Sequence, residues 1–347
     1  MSALRKKALA ERLKPVKEID GWALTHPPFA EGAFGLVFQA IQGDRVGAMK
    51  IEVEEPMTRV LAEAIYGRRL SSCPGVAPFW ASGRFTLSGP KPLVLHYHVT
   101  PLLGDTLEMR IRRGTVSKSG ILNLGVQLLE TLHCIHRAGL VYVDLKPANI
   151  VWDPSTQRWT LIDLGSVTSP VQLKRYVFNG TPLFASLRSL KSGGSTPADD
   201  LESLALVLQW ALSGGTLPWQ GQTGDDTRAL AALREGMGPL AWDPLIAPWV
   251  HRLQKGLNYD LGVPLVPLSP PSSPARAGPS RTSLSPPASP SRAPSSPPKS
   301  PARAGPSRTP PPVGPVKAPS KTSPPRQAKR ADGRTIPTLR VFFGANK

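Results

Sequence analysis

The chain has 347 residues, with 42 Lys and Arg against 24 Asp and Glu and a net charge of +18. That length fits one large domain with an appendage, and no apolar run approaches the roughly 18 residues a membrane-spanning helix needs. Two cysteines, Cys73 and Cys134, make no disulfide framework, so reduced thiols in an intracellular protein are expected. The start, Met1 to Lys7, leads into alternating charge instead of an apolar signal core.

Leu4, Ala8, Leu9 and Leu13 fall near helical spacing with basic residues between them, which predicts a short basic helix over 3–13. From Trp22 to about Lys50 the chain reads as strands broken by Gly and Pro. Residues 57–70 read as a helix. Leu93 to Thr100 reads as a strand whose His96 and His98 share one face. Metal ligation by those histidines is disfavoured, because no Cys or acid partners them at ligand spacing. Helices are predicted at 119–138, 199–213 and 226–237. Strands first and helices later indicate an α+β protein with a small sheet lobe and a larger helical lobe.

The last stretch differs in kind. Of 40 prolines, 22 lie between Pro264 and Lys347, together with 14 basic residues and one acid, Asp332. Such a segment buries too little apolar surface to offset the entropy of ordering, and is expected to be disordered. The decamer beginning at Ser273 recurs at Ser300–Thr309. Two copies of an unstructured decamer are repeated linear sites and not a solenoid.

Chemistry concentrates in four places. Glu31-Gly32-Ala33-Phe34-Gly35-Leu36-Val37 can fold its backbone closely over phosphates, although a plain turn has the same composition. Thirteen residues after Val37, Lys50 ends Val46-Gly47-Ala48-Met49-Lys50, and thirteen further on Glu63 sits in the predicted helix. In that order a lysine and a glutamate suggest an ion pair that steadies a nucleotide's phosphates. Val141 to Val151 then contains Asp144-Leu145-Lys146-Pro147-Ala148-Asn149, and Asp163-Leu164-Gly165 follows. Asp144 can orient an attacking hydroxyl and Lys146 can reach a transferring phosphate. Asn149 and Asp163 offer the hard oxygens that Mg²⁺ prefers.

Residues 25–221 resemble the eukaryotic protein kinase superfamily, and within it the casein kinase 1 and vaccinia-related kinase group. The narrower resemblance rests on Leu102–Glu108, on Gly180-Thr181-Pro182-Leu183-Phe184-Ala185-Ser186, and on Asp199-Asp200-Leu201-Glu202-Ser203-Leu204 with Gly215–Gly221. It implies a bilobal protein-kinase-like fold of the α+β class with a disordered C-terminal tail. The implied domains are a basic helical extension at 1–20, a kinase domain at 21–268 and the tail at 269–347. Within the kinase domain the small lobe runs from about 21 to 100 and the large lobe from about 104 to 268.

The implied activity is Ser/Thr protein phosphorylation from ATP with Mg²⁺, or Mn²⁺ in its place. Asp144, Lys146, Lys50 and Glu63 are the implied catalytic set, and Asn149 and Asp163 the implied metal ligands. The nucleotide would lie on Ala30, Glu31, Gly32, Gly35, Val37, Ala48, Lys50, Thr100, Pro101, Leu103 and Val151. Thr100 would be the gatekeeper. Pro101 can offer its carbonyl and Leu103 its N–H to adenine. Asp200 would brace the catalytic loop, and Lys146 with Thr181 marks the Ser/Thr type.

Four departures modify the expectation. Ala30 replaces the first loop glycine, which should weaken nucleotide affinity without abolishing it. Tyr142-Val143-Asp144 replaces His-Arg-Asp, removing the usual receptor for an activation-loop phosphate. Leu164 for Phe keeps an apolar packing residue. Leu183 takes the place of an arginine thought to bind anionic substrate groups, and Lys174 and Arg175 are candidate substitutes.

In the tail, eight Ser/Thr-Pro pairs include five with a base three residues on: Ser273, Ser289, Ser296, Ser300 and Ser323. They resemble sites of proline-directed host kinases. The same repeats would also lie on nucleic acid through their cations, or simply act as a solubilising linker. Thr335 to Phe343 is a docking motif or a plain terminus, and Lys329-Arg330 a nuclear-import candidate. Expected partners are protein substrates, with nucleic acid a further candidate and no membrane. The expected state is a monomer in the nucleus, the cytoplasm or both. The competing readings are a pseudokinase scaffold and a small-molecule phosphotransferase.

Overall fold

The computed structural model describes residues 3–32, 35–54, 59–170, 178–223 and 226–262. The chain divides into two units, Met1–Ala275 and Arg276–Lys347. The expectations for the tail, for Ala33 and Phe34, and for Lys174 and Arg175 lie outside the described residues.

The small lobe begins with helix α1 (Ala3–Leu13) and continues through strands β1 (Glu18–Ile19), β2 (Trp22–Glu31), β3 (Gly35–Gln42) and β4 (Arg45–Val53). Helix α2 (Arg59–Arg69) precedes β5 (Ala81–Leu87) and β6 (Leu93–Pro101). The six strands form one antiparallel sheet in the order β1-β2-β3-β4-β6-β5. Pro27 and Pro28 cannot donate to the ladder, and the β2–β3 register shifts between Thr25 and Ala30.

Period-2 alternation gives this sheet two unlike faces. Leu36, Phe38, Ala40, Met49, Ile51, Leu95, Tyr97 and Val99 are buried together with Leu9 and Leu13 of α1. Lys50 and Glu52 of β4 alternate with Met49 and Ile51 and so lie on the opposite face, toward α2. Register places His98 opposite Lys50, and His96 opposite Glu52. The two histidines share a face, as their spacing predicts, and that face is the polar one.

The large lobe contains α3 (Leu107–Arg112), α4 (Lys118–Arg137), the hairpin β7 (Ile150–Asp153) and β8 (Arg158–Leu161), α5 (Leu187–Ser192), α6 (Pro197–Leu212), α7 (Thr227–Gly236) and α8 (Ala247–Leu253). Local chemistry starts most of these helices. The Ser117 hydroxyl accepts from Gly120 N at 3.1 Å at the head of α4. Thr196 and Asp199 form a capping box on α6, with Pro197 in its first turn. Asp226 caps α7.

The core of the lobe is α4 against α6. Leu124, Leu128, Leu132 and Ile135 repeat at helical spacing on α4 and are buried with Leu201, Leu204 and Leu208 of α6. Helix α6 is buried on most of its circumference, which is why its sequence is apolar nearly all round.

One expectation needs correction. Cys73 and Cys134 do not stand as separate thiols: the structure joins them in a disulfide, with Cα atoms 5.6 Å apart and a sequence separation of 61. It ties the turn after α2 to α4. Sequence separation carries no trace of this, because the folding of α2 onto the large lobe makes the contact. In the first twenty residues, α1 contributes fully buried Leu13 to the small-lobe core and β1 extends the sheet. No helix among the described residues is long and apolar enough to cross a membrane.

Leu13 is 0 % exposed. Leu13→Ala is therefore expected to lower unfolding free energy by about 2–5 kcal/mol, measured by denaturant unfolding. A surface role for α1 predicts a change of about 0.5 kcal/mol or less.

Candidate active site

The site lies between the polar face of the small-lobe sheet and the loops at the head of the large lobe. Gly32 and Gly35, at the end of β2 and the start of β3, border it. Gly32 N donates to Gly35 O at 3.0 Å. A Cβ on Gly35 would sit 2.2 Å from Ile51 O and 2.7 Å from Glu52 Cγ, so this position admits only glycine. A Cβ on Gly32 would lie 3.6 Å from Lys50 Cε, which places Gly32 beside the lysine. Ala30 pairs with Val37 and Glu31 with Leu36 in the ladder. The alanine therefore sits in ordinary strand backbone that does not require glycine.

Lys50 is surrounded by carboxylates. Its Nζ bonds Glu63 Oε1 and lies 3.4 Å from Asp163 Oδ1 and 3.7 Å from Glu52 Oε1. Burial opposes its charge, but Glu63, Asp163 and Glu52 outweigh that and hold the ammonium above the ordinary lysine range. Burial raises the Glu63 carboxyl, and Lys50 pulls it back toward ionisation. Burial also works against ionisation of Asp163, yet Lys50 and Lys146 keep its carboxyl below the usual carboxylate range.

Two residues that motif reading passed over complete this cluster. Glu52 accepts from Val60 N at 3.1 Å, so the strand that carries Lys50 caps the helix that carries Glu63. The signal was available: Glu52 is two residues from Lys50 on a strand and must share its face. His98 Nε2 lies 3.3 Å from Glu63 Oε2. Burial and the neighbouring Lys50 push the His98 imidazole down to about 3, so it is neutral near pH 7.

On the far side of the cleft, β6 runs out through Thr100 and Pro101. Ala48 pairs with Thr100 and Gly47 with Pro101, and Leu102 N donates to Val46 O at 3.1 Å. Leu103 follows, half-buried, and Gly104 N donates to Trp152 O at 2.9 Å. This joins the linker to β7, where Val151 is buried. Val37, Ala48, Thr100, Pro101, Leu103 and Val151 are thus carried by the strands and linker that border the cleft.

The catalytic loop holds the densest polar network. Asp144 Oδ1 accepts from Thr181 Oγ1 at 2.6 Å, and its Oδ2 accepts from Lys146 Nζ at 2.7 Å. Lys146 also donates to Thr181 Oγ1 at 3.0 Å, closing a triangle. Asn149 donates its amide to Asp144 O at 3.0 Å, which leaves the amide oxygen as its remaining donor atom for a cation. Asn149 O also accepts from Ile162 N at 3.0 Å, next to Asp163. Asp163 has φ +57°. A Cβ on Gly165 would lie 3.1 Å from Glu63 Oε1 and 3.2 Å from Asp163 Oδ1, so the Asp-Leu-Gly turn needs its glycine to nest against α2.

Asp200 holds this loop from below, as the resemblance implies. Its carboxylate accepts from Tyr142 N at 2.7 Å and Val143 N at 2.8 Å. His136 Nε2 is 2.8 Å from the same carboxylate, and its Nδ1 is 2.6 Å from the Tyr259 hydroxyl. Val143 has φ +76°, a costly conformation for a β-branched residue, and the bond from its N–H to Asp200 holds it there. Tyr142 donates its hydroxyl to Ile162 O at 2.5 Å, linking the catalytic loop to the strand end before Asp163. His136 left no sequence signal, because its partners are 64 and 123 residues away.

Leu183 is half-buried, packs on the large-lobe core, and has its carbonyl bonded by Trp219 Nε1 at 3.1 Å. It presents no charge to a substrate.

The buried neutral His98 has a pH signature. The unfolded chain takes up a proton on it below about pH 6.5, whereas the folded protein does so only near pH 3. Stability from this group is complete above pH 6.5 and falls with pH by up to about 1.4 kcal/mol per unit. His98→Leu should flatten the fall in melting temperature between pH 6.5 and 4.5. An unchanged slope would show that His98 titrates normally.

Comparison with known proteins agrees with this geometry. Residues 28–245 match the model of the protein kinase domain. A "probable serine/threonine-protein kinase" of Dictyostelium discoideum is 33% identical over 250 residues, covering 66% of this chain and 48% of the relative. A "probable casein kinase I homolog" of Encephalitozoon cuniculi is 32% identical over 136 residues, covering 35% of this chain and 44% of the relative. Serine/threonine-protein kinase VRK1 of Caenorhabditis elegans is 25% identical over 216 residues, covering 55% of this chain and 35% of the relative. The chain spans half the length or less of these curated relatives. With the matched segment covering most of the described residues and the site geometry falling inside it, the chain belongs to the protein kinase domain family.

Proposed function

We propose that the chain is a Ser/Thr protein kinase that transfers the γ-phosphoryl group of Mg²⁺·ATP to protein hydroxyls, with the casein kinase 1 and vaccinia-related group as its nearest functional type. The observation that carries this reading is the Asp144–Thr181–Lys146 triangle beside Asn149 and Asp163. Asp144 presents two carboxylate oxygens at the position where a substrate hydroxyl must be oriented and relieved of its proton. Lys146 supplies a cation within reach of the same point, and Thr181 fixes both groups. Lys50, held by Glu63, faces the glycine turn where phosphates would lie.

Asn149 and Asp163 fit a divalent cation by donor chemistry, an amide oxygen and a carboxylate. A cation bound there would neutralise charge on the phosphate oxygens. The match in names to casein kinase I and VRK1 supports the narrower type, as do the segments around Thr181 and Trp219. Leu183 argues against a preference for acidic or already phosphorylated sites. Retention of Lys50, Glu63, Asp144, Asn149 and Asp163 speaks against a scaffold without transfer. A monomer acting in the nucleus or cytoplasm belongs to the same proposal. So does a basic tail that meets nucleic acid or is modified by proline-directed kinases.

Labelled phosphate transfer from Mg²⁺·ATP to casein and to a basic protein tests the reading. The parent should transfer to Ser and Thr. Asp144→Asn, close in shape, should lower turnover about 10²–10⁴-fold while melting as the parent does. Lys50→Ala should also abolish most transfer. An Asp144→Asn variant as active as its parent would remove Asp144 from the role of base.

A further inference from the structure

Arg59 and Glu63 are four residues apart on α2 and project from the same helix face. Glu63 reaches Lys50 and His98. Arg59 reaches the other way. Its Nη1 donates to Ser166 Oγ at 3.1 Å and its Nη2 to Asn179 Oδ1 at 3.3 Å. Ser166 ends the turn that begins at Asp163, and Asn179 lies two residues before Thr181. One guanidinium therefore joins the turn after Asp163 to the approach to the Asp144 triangle. Gly165 packs between the two side chains: its Cβ would meet Arg59 Cβ at 3.2 Å and Glu63 Oε1 at 3.1 Å. Asn179 is oriented in turn, its Oδ1 accepting from Gly180 N at 3.1 Å.

The residue before Asp144 carries no charge. Val143 precedes Asp144, and its N–H is already bonded to Asp200. The helix that carries Glu63 is the element that supplies the positive group. A charged donor to two acceptors is stronger than a pair of neutral bonds, and the planar fork can hold both at once. Glu63 is buried against Lys50, so the pair depends on α2 staying close to the sheet.

We infer that Arg59 is a positioning residue: it latches α2 to Ser166 and Asn179, and so keeps Glu63, Asp163 and Thr181 in mutual register without a phosphate group. The inference rests on the kinase reading only for its effect on turnover. Its effect on α2 itself is independent of catalysis.

The test compares the full chain with Arg59→Ala, Arg59→Lys, Asn179→Ala and the Arg59→Ala/Asn179→Ala double variant. Hydrogen–deuterium exchange is followed across 59–69, 164–168 and the reference helices α4 and α6. Arg59→Ala should speed exchange in α2 and 164–168 roughly tenfold and leave α4 and α6 unchanged. Turnover should fall roughly tenfold with KM for ATP within about twofold of the parent. Arg59→Lys should recover only part, because an ammonium cannot reproduce the fork. The double variant should fall little below Arg59→Ala alone, since the two residues share one interaction.

Unchanged exchange in α2 overturns the latch, and so does exchange that rises equally in α4 and α6, which marks general loss of fold. A parent without phosphate transfer would defeat the kinase reading, while the exchange data would still decide for or against the latch.

Discussion

The arrangement depends on a lysine ammonium buried among carboxylates. Lys50 comes from a strand, Glu63 from a helix and Asp163 from a loop of the other lobe, and each meets the same Nζ. Lys50 and Glu63, both buried, are not stable as lone charges at that depth. An unpaired buried charge costs several kcal/mol, and breaking such a pair typically costs about 3–5 kcal/mol. The pair therefore couples three elements that have no continuous backbone contact. Glu52 strengthens the coupling by capping α2 from the strand that bears Lys50. The proposed function draws on the same constraint, because a cation fixed in this position lies beside Gly32, where phosphates would bind.

A second buried carboxylate does the equivalent work below the cleft. Asp200 accepts from two successive backbone N–H groups and bonds His136. Successive donors aimed at one carboxylate force the chain into a conformation that Val143 adopts only at a cost. The gain is the direction of Asp144, which emerges one residue later. Here α6 acts as a rigid mount. It is apolar nearly all round and packed against α4, so the one charge it carries into the loop has a fixed origin.

The departures from the family pattern have local physical readings. Ala30 sits in ladder backbone, where a methyl is tolerated. Tyr142 replaces a histidine and keeps a polar tether, because its hydroxyl reaches Ile162 O while its ring is buried. Burial, with the nearby carboxylates of Asp163 and Asp144, holds that phenol protonated and able to donate. Leu183 turns a position of potential charge into packing. The chain keeps the groups to which the proposed function assigns nucleotide and proton, and alters those that would read a substrate or a regulatory phosphate.

Much of the site is legible in the sequence because its residues occupy short motifs with fixed offsets. Asp144, Lys146 and Asn149 share one loop, and two residues on a strand or four on a helix must share a face. On that logic the shared face of His96 and His98 on β6 follows from periodicity, whereas Lys50 and Glu63 follow from their order after the glycine segment. β5, with Gly83 against the Tyr97 ring and no clear alternation, does not. Nor do His136 on Asp200, Arg59 on Ser166 and Asn179, or the Cys73–Cys134 bridge. Each joins residues more than sixty apart. Local propensity and spacing set the elements and the chemical groups they carry, because those depend on nearest neighbours along the chain. Only the packing of α2 and α6 against distant loops decided which of those groups meet, because a contact across the chain exists only after the core has closed around it.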